Sequence, residues 1–192
     1  MKNTTQLPKE YTAIFDLDLQ KDKKLALLLN GFAILIVAAM TLIGALLMPI
    51  QTLFMIDGTI TVLRPLILLI ALIIYVVLHE LIHGICMKQF SGIPAQYGFT
   101  GLYAYAGSKA YFNKKSYIII ALAPVIVLGI LLLVLHFLLD TSWFWVIYLI
   151  QVNNISGAIG DFYVTYRFTK FPSAILVQDM GVSMTVYSPE EH

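Results

Sequence analysis

Two histidines four residues apart flank an acidic residue in the segment His79-Glu80-Leu81-Ile82-His83. On a helix, positions i and i+4 share one face about 6 Å apart along the axis, so both imidazoles can point at one metal ion. Glu80 then lies beside the ion, where it can take a proton from a water while the metal polarises a carbonyl. The spacing predicts one zinc ion per chain, with His79 and His83 as ligands and Glu80 as the general base.

The chain around this segment has the composition of a membrane protein. Of its 192 residues, 59% are hydrophobic and 12% are charged, and the mean hydropathy is +0.84. A helix that crosses the hydrocarbon core needs about 20 mostly apolar residues. Four stretches meet this length, and they are residues 25–50, 66–87, 117–139 and 143–166. We therefore predict an all-α polytopic membrane protein with about four transmembrane helices, the second of which carries the histidine pair.

Lysine and arginine are distributed unevenly between the predicted loops. Five precede the first stretch, four lie between the second and the third, two follow the fourth, and Arg64 falls on the other side. Cytoplasmic loops are enriched in basic residues, so both termini are predicted to be cytoplasmic. The net charge of +1, without a basic run interleaved with aromatic residues, excludes a nucleic-acid partner. The single cysteine, Cys86, excludes an internal disulfide.

A catalytic zinc site takes three protein ligands and keeps one position open. The possible third donors after His83 are Cys86, His136, Asp140, Asp161, Asp179, Glu190, Glu191 and His192. Cys86 lies about 10 Å along the helix from His79. His136 and Asp140 belong to the opposite membrane face, and the last four reach the site only if the tail folds back. Asp161 lies about 9 Å from the cytoplasmic boundary and His83 about 7.5 Å, so Asp161 is the predicted ligand. A polar packing cluster between helices is the alternative.

The segments outside the predicted helices carry β-strand signals. In residues 91–115, the runs that flank Gly107-Ser108 can pair as a hairpin, and Asp179-Met180-Gly181 separates two β-rich runs in the tail. We predict small cytoplasmic β-hairpins at both places. Residues 15–19 alternate apolar and acidic side chains, which suits an amphipathic strand or a juxtamembrane tether, and we favour the tether. The predicted organisation is a cytoplasmic segment 1–24, a four-helix domain 25–168 and a hairpin tail 169–192.

The motifs of this chain resemble those of a known family. His79-Glu80-x-x-His83, Ala123-Pro124 at the start of the next span, and Asn153 eight residues before Asp161 look like the motifs of the site-2 proteases, which are intramembrane zincins. Ser156 and Phe162 stand where that family has proline and glycine. The chain as a whole is similar to small bacterial membrane proteins called putative zincin peptidases. The resemblance implies a multi-pass protein of the bacterial plasma membrane that binds zinc.

Asn153 and Asn154 are adjacent amides inside the fourth predicted span, close to Ser156, Gly157 and Gly160. The small residues weaken the helix, so the span is predicted to open locally there. An opened backbone could bind a substrate strand, and an asparagine side chain could donate to the oxyanion of a tetrahedral intermediate. The alternative is that the glycines permit tight helix packing and the amides hold helices together.

The sequence supports three functional hypotheses. The first is a zinc endopeptidase that cuts a transmembrane or juxtamembrane peptide near the cytoplasmic face, with lipid and a membrane-protein substrate as its partners. The second is a non-catalytic zinc-binding sensor or partner protein of the membrane. The third is a metal transporter, which the absence of polar residues continuing towards the external face disfavours.

Overall fold

The computed structural model describes residues 3–101 and 103–189, and helices make up most of this part of the chain. The helices are α1 (Lys23–Leu47), α2 (Leu63–Ser91), α3 (Lys114–Leu138), α4 (Phe144–Gly157) and α5 (Ile159–Thr169). Of the described helices, α1, α2 and α3 are long and apolar enough to cross a membrane. Large apolar side chains cover their outer surfaces, and Leu46, for example, is 80% exposed. These surfaces suit contact with lipid rather than water.

Local signals in the sequence set the ends of these helices. The Asp22 carboxylate accepts a hydrogen bond from the Leu25 backbone N–H at 3.0 Å and caps α1, and Asn113 caps α3 through the Ser116 N–H at 3.0 Å. Helix α2 ends at Gly92, which has a φ of 75° and so adopts the left-handed conformation that favours glycine.

The fourth predicted span is two consecutive helices, so the count of four long spans is not confirmed. Helix α4 ends at Gly157, Ala158 has a ψ of 14°, and α5 begins at Ile159. The interruption lies where the sequence predicts a local opening, beside Gly157 and Gly160. The first hydrogen bond of α5 runs from the Phe162 N–H to the Ala158 carbonyl at 3.0 Å, so the new helix begins directly at the break.

The described chain is mostly helical, but the all-α label is not confirmed, because the strands form a sheet as well as the predicted small hairpins. Strands β1 (Tyr11–Asp18), β6 (Tyr111–Asn113), β7 (Leu176–Asp179) and β8 (Ser183–Pro189) form one antiparallel sheet in the order β1-β8-β7-β6. The C-terminal hairpin β7–β8 is confirmed. Residues 15–19, for which we favoured a tether, instead belong to β1 or directly follow it, and β1 pairs with β8 from Tyr11 opposite Pro189 to Asp18 opposite Ser183.

The hairpin in the segment between α2 and α3 forms, but not around Gly107-Ser108. Strand β4 (Gln96–Phe99) pairs with β5 (Ala104–Gly107), and the chain then leaves to pair β6 with β7. The turn lies before β5 because Thr100 exchanges hydrogen bonds with Tyr103 and Gly101 takes a φ of 90°. A further short hairpin, β2 (Met55–Ile56) with β3 (Thr59–Ile60), lies between α1 and α2.

Two buried clusters hold the helices and the four-stranded sheet together. One joins α2, α3 and α5 to the sheet through Met87, Phe112, Ile120, Phe168 and Val177, each at most 1% exposed. The other joins α2, α3 and α4 through a separate set of buried residues that includes Tyr75, Leu128 and Trp145. The histidine pair of α2 lies between the parts of that helix that enter the two clusters. Helix α2 is therefore packed against other elements both before and after the histidine pair.

Candidate metal centre

Helix α2 brings the imidazoles of His79 and His83 together, as their spacing predicts. Both residues are buried, and their Nε2 atoms lie 3.2 Å apart. Helix α2 is continuous through this region, so the helical repeat itself sets the separation.

Asp161 completes the cluster from α5. Its carboxylate lies 3.4 Å from His79 Nε2 and 3.5 Å from His83 Nε2. The candidate donor atoms of the three residues all lie within 4.8 Å of one another. Asp161 is in the first turn of α5, where the positive end of the helix dipole favours a carboxylate. The structure thus brings the three predicted ligands to one place, from two separate elements.

The two imidazoles are spaced to share one zinc ion. With zinc–ligand distances near 2.0–2.1 Å, two ligand atoms of a tetrahedron are about 3.3–3.4 Å apart. The two Nε2 atoms are 3.2 Å apart, and the carboxylate of Asp161 faces them, with Oδ2 3.4 Å from His79 and Oδ1 3.5 Å from His83. Two imidazoles and one carboxylate are also a donor set of catalytic zinc sites, which keep a fourth position open.

The hydrogen bond that His83 makes through Nδ1 turns its Nε2 atom towards the ligand cluster. Its Nδ1 lies 2.9 Å from the backbone carbonyl of Ile120 on α3. A carbonyl only accepts hydrogen bonds, so Nδ1 carries the proton and the neutral ring presents a lone pair at Nε2. This is the outer contact that commonly orients a metal-binding histidine.

A chain of hydrogen bonds orients His79 in the same way. Asn154 donates to the Val125 carbonyl at 3.1 Å, which points its amide oxygen at Tyr75. The Tyr75 hydroxyl donates to that oxygen at 2.8 Å, so its own oxygen accepts the Nδ1 proton of His79 at 3.0 Å. The lone pair of His79 is therefore at Nε2. Two lone pairs and a carboxylate converge on one point, an arrangement that a bound cation stabilises.

This chain of contacts places Asn154 as in the alternative by which the amides hold helices together. It is fully buried, and its amide contacts Tyr75 and Val125. Asn153 has a different position. It lines a cavity together with His79, Glu80 and Gly157, which keeps it a candidate for substrate contact.

Glu80 lies beside the ligands, on the wall of a cavity of about 220 Å³. The cavity also contains His79, His83 and Asp161, and it is bounded by Ala104 and Ala106 of β5. Glu80 is half-buried and points towards the backbone of Ala106. A carboxylate that faces open space next to the metal ligands is placed for proton transfer to or from a water.

Three residues of the site were not selected by the sequence analysis. Tyr75 precedes His79 by four residues, so the same helical spacing that pairs the histidines could have identified it. Tyr117 and Asp179 line the cavity, and the Tyr117 hydroxyl donates to the Asp179 carboxylate. Asp179 was considered as a ligand only if the tail folds back. The tail does fold back, but Asp179 is outside the ligand cluster.

Comparison with known proteins gives one family. The family model described as putative zincin peptidase matches residues 72–176, which contain both histidines, Glu80 and Asp161. No curated protein and no solved structure matches the chain. The match covers more than half of the 192 residues. The chain belongs to the putative zincin peptidase family, and this membership and the geometry of the site agree on a zinc-dependent metallopeptidase.

Proposed function

We propose that this protein is an intramembrane zinc endopeptidase of the site-2 protease kind, which hydrolyses a transmembrane or juxtamembrane peptide bond near the cytoplasmic face. The observation that carries the proposal is the convergence of His79 and His83, on the apolar helix α2, with Asp161 of α5. Polar groups at such a place are costly unless they bind something or line a wet cavity. Zinc bound by these three residues supplies a Lewis acid that polarises the scissile carbonyl and acidifies water.

Glu80 acts as the proton carrier. One oxygen of its carboxylate takes the proton of the attacking water, and the same group later gives it to the leaving nitrogen. Tyr75 and Ile120 keep the two imidazoles in the tautomer that presents Nε2. The buried position of both histidines limits their motion during the reaction.

Strand β5 provides an edge for the substrate backbone. Its only strand partner among the described residues is β4, and its residues Ala104 and Ala106 line the cavity that contains Glu80. A helical substrate must be unwound before its carbonyl can react, and an extended peptide can then pair with an open edge. Ala104 and Ala106 have small side chains, which permit close approach of a second strand.

The apolar helices α1, α2 and α3 support a location in a bilayer. The distribution of lysine and arginine supports cytoplasmic termini, and the resemblance to bacterial proteins supports the bacterial plasma membrane. The partners under this proposal are lipid and a membrane protein or membrane peptide as substrate.

The decisive experiment compares membranes that contain the wild-type protein, Glu80→Gln, and the control Glu10→Gln at an exposed position. Zinc per chain is measured on purified protein, and cleavage products are measured by quantitative proteomics. We expect all three proteins to hold one zinc and only Glu80→Gln to lose its products. Normal cleavage by Glu80→Gln would refute the proposal. Identical proteomes with zinc bound in all three would indicate a non-catalytic zinc-binding sensor or partner protein instead.

A further inference from the structure

The turn between β7 and β8 packs against both the metal cavity and the substrate edge. Residues 179, 181, 183 and 184 line the cavity that contains Glu80 and the three ligands. The family match ends at residue 176, so the whole turn lies beyond it. This wall of the site therefore lies outside the residues that the family model matches.

Asp179 anchors the turn on α3. One of its carboxylate oxygens accepts the hydroxyl proton of Tyr117, and the other accepts the Gly181 N–H at 2.7 Å. The Tyr117 ring is buried and packs against Phe168 at 5.4 Å and Phe112 at 6.3 Å between ring centres. Tyr117 lies one helical turn before Ile120, the residue that orients His83. Tyr117, which holds Asp179, and Ile120, which orients His83, are therefore neighbours on the surface of α3.

The same turn holds the end of β5. The Ser108 N–H donates to the Asp179 carbonyl at 2.6 Å. Gly107 and Gly181 approach their neighbours so closely that an added Cβ would fall within 3.0 Å of the Met180 carbonyl and of the Tyr105 ring, respectively. Three successive residues of the turn therefore contact the end of β5 or the residue after it.

We propose that the turn formed by residues 179–181 positions β5 beside the metal centre, and that Asp179 is the positioning residue that fixes this turn to Tyr117. This inference rests on the proposed function, because it gives the substrate edge β5 its place. Asp179 contacts neither the ligands nor the substrate in this role. Asp179 acts on substrate binding indirectly, because it fixes the position of β5, to which the peptide binds.

The test uses the full chain in detergent with three variants. Tyr117→Phe removes one hydroxyl and keeps the packed ring, and Asp179→Ala removes the anchor entirely. The matched control is Thr185→Val, which removes another hydroxyl-to-carboxylate hydrogen bond, 2.7 Å to Asp16, from the same hairpin. The first readout is amide hydrogen exchange over residues 104–107. The second is the visible spectrum of bound Co²⁺, which reports the ligand geometry.

We expect exchange at β5 to accelerate about tenfold in Tyr117→Phe and Asp179→Ala, the factor that corresponds to the loss of one hydrogen bond. Exchange in Thr185→Val and the Co²⁺ spectra of all variants should match the wild type. With dye-labelled β-casein as substrate, KM should rise and kcat should stay within about twofold, because positioning affects binding more than the chemical step.

Two results would overturn the inference. Unchanged exchange at β5 in Tyr117→Phe and Asp179→Ala would show that the turn does not hold the strand. An altered Co²⁺ spectrum in Tyr117→Phe would show that the pair acts on the ligands instead. The exchange experiment decides the matter even if the wild-type protein does not cleave casein, whereas that failure would count against the proposed function alone.

Discussion

Helix α2 and the α4–α5 pair both supply ligands to the candidate metal centre, yet they do so in different ways. Helix α2 runs unbroken from Leu63 to Ser91 and provides two ligands and the base from consecutive turns. The α4–α5 pair is interrupted at Ala158 and provides Asp161 from the first turn after the break. One element relies on helical periodicity, and the other relies on a departure from it.

The difference shows what each ligand requires. Two histidines at i and i+4 need only a helix and partners that fix their tautomers. A lone buried carboxylate needs compensation, and the break provides part of it, because it creates a helix N-terminus next to Asp161. We infer that α2 determines metal affinity and that the α4–α5 break determines how the cavity opens beside the metal.

The largest effect is expected from loss of a ligand on α2. His83→Ala should lower zinc affinity by more than the roughly 100-fold upper limit typical of outer-sphere changes, because a bond to the metal itself is lost. Competition with a chromophoric chelator measures this affinity. His136→Ala, at the far end of α3, is the control and should bind zinc as the wild type does. Undiminished affinity in His83→Ala would contradict the assignment of α2 as the main determinant.

A smaller loss is expected from the partner that orients His79. Tyr75→Phe removes the acceptor for the Nδ1 proton and should reduce zinc affinity about 10- to 100-fold. Tyr148→Phe removes a comparable hydrogen bond, 2.7 Å to the Met40 carbonyl between α4 and α1. It should lower the free energy of unfolding by about 1 kcal/mol and leave zinc binding unchanged. Equal zinc affinities in the two variants would show that Tyr75 does not support metal binding.

The sequence predicts those parts of the molecule that depend on local pattern. The histidine pair follows from the helical repeat, and the β7–β8 hairpin follows from a glycine turn between two β-rich runs. Residues 156–160 also predict a weak point in the fourth span. In each case, neighbouring residues contain the necessary information.

Other parts of the site depend on pairing between distant segments, which local pattern does not specify. Tyr75 and Asn154 meet across 79 residues, and β1 pairs with β8 at the other end of the chain. An acidic and apolar alternation suits a strand or a surface segment equally well, so the choice of a tether for residues 15–19 was wrong. The hairpin before α3 was misplaced because Gly107 is required by contact with Met180 rather than by a turn.

Glycine-to-alanine substitution on α2, with a control on α1, tests through stability how tightly α2 is packed. Gly84→Ala on α2 would place a methyl group within 3.0 Å of the Tyr97 ring and hydroxyl, so the Tyr97 side chain or its strand β4 must shift. We expect a loss of about 1–3 kcal/mol in unfolding free energy, as overpacked sites typically show. Gly31→Ala on α1 has nothing within 4 Å and should be neutral or slightly stabilising. Equal unfolding curves for both variants would show that the contact between Tyr97 and α2 does not stabilise the protein.

The smallest change in stability is expected at the break itself. Gly157 has nothing within 4 Å of an added Cβ and lines both cavities that contain Glu80. Gly157→Ala should alter the unfolding free energy by no more than about 1 kcal/mol and should keep zinc affinity, since alanine favours a helix and no ligand is touched. The added methyl group lies in the cavity and should reduce kcat/KM for dye-labelled β-casein about tenfold, a typical effect of one methyl group on discrimination. If Gly157→Ala instead loses zinc as His83→Ala does, the glycine is needed to bring Asp161 to the histidines, and the α4–α5 break would determine metal affinity as well as access.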